Sequence, residues 1–266
     1  MLAQFPCRKG RFLSATDFLR RAKIATQAFA DVANWREVLP LAATGKAVTE
    51  IRLRSGAVIK ASPDGSLWPV FSDIWYHHSY TKHCPISPGS TVVDVGANVG
   101  VFSLFAARVA RTVYALEPAS SNFSRLIQNV SQAKNVISLH CACAGHDGRA
   151  TLDLSREPIG ISLLTTSPSG SQETVDVVSL ETLFAIHKIN RCDFLKLDCE
   201  GAEYPIILDT PPAVLHRVQR IVLEYHDHLS ERFSHRDLTA KLRSLGFHTT
   251  EYNTRGSYGM LAAMRV

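Results

Sequence analysis

The most constraining stretch of this 266-residue chain is Asp94-Val-Gly-Ala-Asn-Val-Gly100, a glycine-bearing loop between an apolar strand and an apolar helix. Thr91-Val-Val-Asp-Val95 is a β-branched run of the kind buried on both faces of a parallel sheet. A loop at the carboxyl end of such a strand, opening a helix, is where an α/β sheet binds its ligand. Gly96 and Gly100 allow backbone conformations that side chains resist, and Asn98 tolerates a left-handed one better than most residues.

The rest of the chain supplies the sheet that such a strand needs. Thr112–Glu117 and Val136–His140 read as the next two strands, with a helix from about Gly100 to Arg108 and another running through Leu126. Residues 148–178 interrupt the rhythm with two added strands, Ala150–Leu154 and Thr174–Val178, around a Ser167–Gly170 loop. It resumes with a helix near Leu180–His187, the strands Phe194–Asp198 and Arg220–Tyr225, and a helix over Leu238–Leu245. Phe247–Tyr252 and Met260–Val266 read as a closing hairpin. Strands alternating with helices predict a doubly wound, mostly parallel sheet over residues 86–266.

Residues 1–85 have a different texture and are expected to form an extension. An amphipathic helix is predicted over residues 13–35, a hairpin turns at Ser55-Gly56, Asp64-Gly65 marks a further turn, and Val70–Tyr80 reads as an aromatic-rich helix. His77, His78 and His83 fall beside Tyr76 and Tyr80, where packing is the expected role.

Hydrophobic residues at 45% and charged residues at 20% suit a globular protein with a real core. The net charge of +5 is modest, and part of it lies in Arg8, Lys9, Arg11, Arg20, Arg21 and Lys23. That basic helix is expected to be a solvated face; peripheral contact with an anionic membrane is compatible with it, and no nucleic-acid partner is expected. Six cysteines without a CxxC pair argue against a zinc site and for free thiols in a reducing compartment. No apolar run is long enough to span a membrane or to act as a signal peptide, so a cytoplasmic location is expected.

Two cofactor classes compete for the loop. A dinucleotide fold wants G-x-G-x-x-G to cradle a pyrophosphate, but the three positions here hold Gly96, Asn98 and Val101. The D-x-G-x-N-x-G spacing is instead similar to the loop of S-adenosylmethionine-dependent methyltransferases, which wraps the methionine part of that cofactor. Glu117, ending the second strand about 20 positions on, suits both hydroxyls of a ribose.

Leu195-Lys-Leu-Asp-Cys-Glu-Gly-Ala-Glu203 and Ile221-Val-Leu-Glu-Tyr-His226 complete the set. With Asp94–Gly100, Leu116-Glu-Pro118 and Ser179-Leu-Glu181, they resemble the FkbM-type methyltransferases over about residues 88–230. The resemblance implies a class I methyltransferase (Rossmann-like) fold with a seven-stranded sheet whose last strand is antiparallel. It also implies methyl transfer from S-adenosylmethionine, usually to a hydroxyl of a sugar, glycolipid or natural product. Asp94, Gly96, Asn98, Gly100 and Glu117 would hold the cofactor, and Asp198, Glu200 and Glu203 would stand at the mouth of the site. One departure follows the third strand, where Ala144-Gly145 precedes His146-Asp147-Gly148 and Asp147 reads as a turn residue.

A hydroxyl acceptor benefits from a base. Asp198, Glu224 and His226 sit at or just beyond strand ends that converge on the crevice, and of the three histidine alone has an ordinary pKa near neutrality. His226 is therefore the expected base, with Asp198 and Glu200 beside it and Tyr80 covering the cofactor. Asp198, Glu200, Glu203, Glu224 and His226 together would suit magnesium, yet no metal is assigned, because Glu203 equally favours the start of a helix. N-methyl transfer, and a cofactor-binding interaction module without turnover, are the competing readings.

Overall fold

A computed structural model describes residues 15–62, 65–153, 172–230 and 232–265. In the extension, α1 (Ala15–Asp31) and α2 (Trp35–Ala43) precede a short hairpin of β1 (Glu50–Arg52) and β2 (Val58–Lys60), followed by α3 (Leu67–Trp75). The helix predicted over 13–35 therefore ends early. Val32 bridges Leu53 of the hairpin, Ala33 N–H donates to Arg52 O at 2.6 Å, and a second helix begins. The aromatic helix also stops short of Tyr80, at Trp75, and His78 takes a left-handed φ of 55°. Arg8, Lys9, Arg11, Cys7, Asp64, Leu154 and the Ser167–Gly170 loop lie outside the described residues.

The main body runs β3 (Thr91–Val95), α4 (Val101–Ala107), β4 (Thr112–Leu116), α5 (Ser120–Val130), β5 (Val136–Leu139), β6 (Ala142–Ala144), β7 (Gly148–Asp153), β8 (Gln172–Ser179) and α6 (Leu180–Ile186). It continues with β9 (Phe194–Leu197), α7 (Glu203–Asp209), α8 (Pro212–Leu215), β10 (Arg220–His226), α9 (His235–Ser244), β11 (His248–Arg255) and β12 (Tyr258–Met264). Seven of these strands form one sheet in the order β5-β4-β3-β9-β10-β12-β11. Neighbours are parallel from β5 to β10, while β12 runs antiparallel to both β10 and β11. The strand order reverses between β3 and β9, which opens a crevice beyond their carboxyl ends. The interrupting segment makes its own three-stranded sheet, β6-β8-β7.

Alternation along each strand builds two cores. Val92 of β3, Phe194 of β9 and Val222 of β10 face α4, α5 and the extension, packing with Phe71, Trp75, Tyr80, Phe102 and Leu126. Val93, Leu195 and Leu223, one position on, face Leu183, Phe184, Ile207, Leu238 and Leu242. The extension is thus continuous with one side of the sheet. Five cysteines, 84, 141, 143, 192 and 199, are free and buried. Among the described residues no helix is long and apolar enough to cross a membrane.

One buried side chain ties the extension to the glycine loop. Asn129 of α5 accepts from Lys60 N–H at 2.9 Å and donates to Lys60 O at 3.0 Å and to Val99 O at 2.7 Å. Asn129→Ala leaves three backbone groups without these partners, and is expected to cost about 2–4 kcal/mol in urea unfolding. A loss below about 1 kcal/mol would contradict this role.

Candidate active site

The glycine loop lies across the end of β9. Gly96 has φ 74°, and a β-carbon there would fall 1.9 Å from Asp198 O, so only glycine fits. Gly100 has φ 89°, and a β-carbon would meet Leu126 Cδ1 at 2.6 Å. Asn98 is left-handed at φ 50°, and its Oδ1 accepts from Val99 N–H at 2.7 Å. Each loop residue singled out in the sequence therefore has a steric or hydrogen-bonding reason for its type.

Glu117 sits at the end of β4 against this loop. Oε2 accepts from Asn98 N–H at 2.8 Å and Oε1 from Ala119 N–H at 3.1 Å. Burial pushes its carboxyl up to about 7, partly opposed by those N–H donors. Asp94 is fully buried: Oδ2 accepts from Ser103 Oγ at 2.6 Å and Oδ1 lies 3.0 Å from Lys196 Nζ. Through Lys196, whose ammonium also reaches Gly96 O, it is tied to the loop.

Lys196 was not singled out by the sequence reading, although a lysine inside the apolar run Phe194–Leu197 is a signal in itself, since buried lysines need partners. Its side chain is 4% exposed, and Nζ donates to Gly96 O at 2.8 Å and lies 3.8 Å from Asp198 Oδ2. Burial alone would lower its pKa, but Asp94 and Asp198 outweigh it and the net direction is upward.

Across the crevice mouth, Tyr80 donates its hydroxyl to Asp198 Oδ2 at 2.7 Å, with Glu224 Oε2 at 3.4 Å. Its ring packs edge-on to Phe102 at 5.5 Å. Tyr252 of β11 holds the preceding turn by donating to Ser79 O at 2.7 Å. Burial and the neighbouring acids push the Tyr80 phenol well above its ordinary pKa. The three nearby histidines do not cluster: His77 faces Asp73 at 3.6 Å, His78 lies 6.0 Å from the Phe105 ring, and His83 packs at 4.4 Å on Tyr252.

His226 ends β10 in a line of carboxylates. Nδ1 is 3.3 Å from Glu203 Oε1 and Nε2 is 3.5 Å from Glu200 Oε2. Glu203 opens α7 and is fully buried, its oxygens accepting from Cys199 N–H at 3.0 Å and Gly201 N–H at 2.6 Å. Glu200 is left-handed at φ 50°. Burial would lower the His226 pKa, yet the Glu203 hydrogen bond and the charges of Glu203, Glu200 and Asp198 carry it up to about 9. Burial and neighbouring negative charge raise Glu200 to about 7 and Glu224 to about 8, with His226 opposing both. Asp198, Glu224 and His226 each bring one ligand atom within 4.8 Å of the others. Asp147 stays apart: its oxygens accept from Ser179 N–H and Thr182 Oγ, each at 2.6 Å, at the start of α6.

A loop wrapped over a topological switch point, an acid at the end of the adjacent strand and an antiparallel seventh strand define a class I methyltransferase fold. Residues 94–249 match the model of the methyltransferase FkbM domain, and the chain belongs to that family, whose methyl donor is S-adenosylmethionine. It is 26% identical over 214 residues to the 31-O-demethyl-FK506 methyltransferase FkbM of Streptomyces tacrolimicus, covering 68% of this chain and 82% of that one. Methyltransferase 1 of Beauveria bassiana is 26% identical over 206 residues, with the same coverages of 68% and 82%. The crystal structure of methyltransferase FkbM from Methylobacillus flagellatus KT superposes with a TM-score of 0.49 at 15% identity. That match covers 73% of this chain and 47% of the other.

With Glu117 as ribose acceptor, its ionised form binds better, because both oxygens can then accept. Affinity for S-adenosylmethionine is expected to fall as pH drops through about 7, and Glu117→Gln should bind weakly with that pH dependence gone. Calorimetry between pH 6 and 8.5 checks this; an unchanged affinity in the variant would contradict the assignment.

Proposed function

We propose that this methyltransferase acts on a hydroxyl oxygen of a small acceptor, such as a sugar, a glycolipid or a natural product. The observation that carries this reading is the Glu203–His226–Glu200 line at the end of β10, beside Asp198 at the end of β9. A hydroxyl must lose a proton as it is methylated, whereas a neutral amine needs less help. The name of the Streptomyces relative specifies a 31-O-demethyl acceptor, which supports oxygen over nitrogen.

The residues present fit the donor. Gly96, Asn98 and Gly100 give a loop that a ligand can approach closely, and Glu117 offers carboxylate oxygens to a ribose. Tyr80 closes the crevice between that loop and the acceptor side, and the extension, over its described residues 15–62 and 65–85, forms a cap that helps to bind the acceptor. S-adenosylmethionine supplies an already activated methyl group on a sulfonium.

The protein then has to align and deprotonate. Glu203 holds the Nδ1 proton of His226, which leaves Nε2 as the atom that faces Glu200 and the crevice. In the resting site the acids keep the imidazole protonated at neutral pH. With the cationic donor bound, His226 would be disfavoured as a second positive charge and would be held in the neutral form. Nε2 would then take the acceptor's hydroxyl proton, while the donor would supply the methyl group and leave as the neutral thioether. Asp198 and Glu200 orient the acceptor and stabilise the imidazolium. No metal is assigned, because Asp198 Oδ2 already accepts from Tyr80 and faces Lys196, and Nδ1 of His226 is held by Glu203.

Two measurements test the reading. His226→Asn should lower methyl transfer from labelled S-adenosylmethionine to hydroxyl acceptors by about 10²–10⁴-fold. Its affinity for S-adenosylmethionine should be retained or rise, because no imidazolium is left to discharge when the cationic donor binds; joint loss of turnover and affinity would show a structural role. Turnover should also survive exhaustive chelation, and restoration of a lost activity by magnesium would replace this mechanism with a metal-assisted one.

A further inference from the structure

Lys196 is a single positive charge sealed under the cofactor loop. Asp94 Oδ1 lies on one side at 3.0 Å and Asp198 Oδ2 on another at 3.8 Å. The Gly96 carbonyl accepts from the ammonium at 2.8 Å, and the Tyr80 and Phe102 rings close over it with centroids at 5.3 and 5.8 Å. No neutral donor of hydrogen-bonding geometry serves Asp94 Oδ1, so Lys196 is its counter-charge. Two carboxylates and one ammonium leave this group one negative charge in excess, directly behind the loop that S-adenosylmethionine must touch.

We propose that Lys196 is the positioning residue that fixes the Gly96 carbonyl against Asp198, and the charge that sets how strongly the site prefers the cationic methyl donor to its neutral demethylated product. The inference rests on the S-adenosylmethionine reading of the loop. Donor and product differ by one methyl group and one positive charge, so they respond differently to a charge placed beneath the loop and alike to a mere loosening of it. With Lys196 present the group carries a charge of −1; without it, −2, which holds the sulfonium more tightly and slows nothing in the binding of the neutral sulfide. Without Asp94 the group is neutral and the preference for the donor falls. A methyltransferase gains from a moderate preference: enough to admit the donor ahead of accumulated product.

The test is a charge cycle read by calorimetry with S-adenosylmethionine and S-adenosylhomocysteine, and needs no acceptor. Lys196→Met should raise the ratio of donor to product affinity by about tenfold, the size expected for one charge acting through a partly polar interior. Asp94→Asn should lower it by a similar factor. Because a lone buried charge destabilises a fold, each single variant is compared with Asp94→Asn/Lys196→Met, which removes both charges together. That double variant should unfold within a few degrees of wild type and return the ratio to within about threefold of it. Ratios unchanged in all three variants, with binding retained, would overturn the proposal and leave Lys196 a structural strut. Absence of binding of either ligand by folded wild-type protein would instead overturn the cofactor reading, and this inference with it.

Discussion

The carbonyl oxygen of Asp198 lies where a β-carbon on residue 96 would have to be. That backbone-on-backbone approach between the β3 loop and the end of β9 brings the donor side and the acceptor side of the crevice together. Any larger residue at 96 would push the loop off the strand end, and with it the Lys196 ammonium that holds Gly96 O from below. Gly100 repeats the constraint one turn later against Leu126, which lets α4 start close to α5. The positions of the helix, the loop and the end of β9 relative to one another depend on these two absent side chains.

Electrostatics gives the site its second character. Asp94, Asp198, Glu200, Glu203 and Glu224 gather around two cations, Lys196 and His226. Asp94 and Glu203 are fully buried and spoken for, one by Lys196 and Ser103, the other by two backbone N–H groups and His226. Asp198 and Glu200 remain nearest the crevice. The surplus negative charge suits a sulfonium donor and holds the histidine toward its charged form.

Much of this was legible in the sequence because the signals are local. The run Thr91–Val95 reads as a buried strand, the glycines at 96 and 100 mark a loop, and residues 247–252 and 260–266 read as a hairpin. The seven-stranded sheet and its antiparallel strand are those that the resemblance to the FkbM-type methyltransferases implied. What stayed hidden depends on contacts between distant segments. The break after Asp31 is set by a bridge to Leu53, and the end of the aromatic helix by turn geometry after Trp75, neither of which has a local code. The Lys196–Asp94 pair joins residues a hundred positions apart, and only an odd lysine in an apolar strand hinted at it. Glu203 showed itself as a helix-start acid, while its hold on His226 required β10 and α7 to be placed side by side.

The most direct test of the account is a crystal structure of the protein with S-adenosylhomocysteine bound. The ribose hydroxyls should meet Glu117, the amino-acid part should lie along residues 96–100, and the sulfur should face the opening between Asp198 and His226. A ribose bound away from Glu117, or a sulfur turned from the ends of β9 and β10, would contradict the assignment of both donor and acceptor sides.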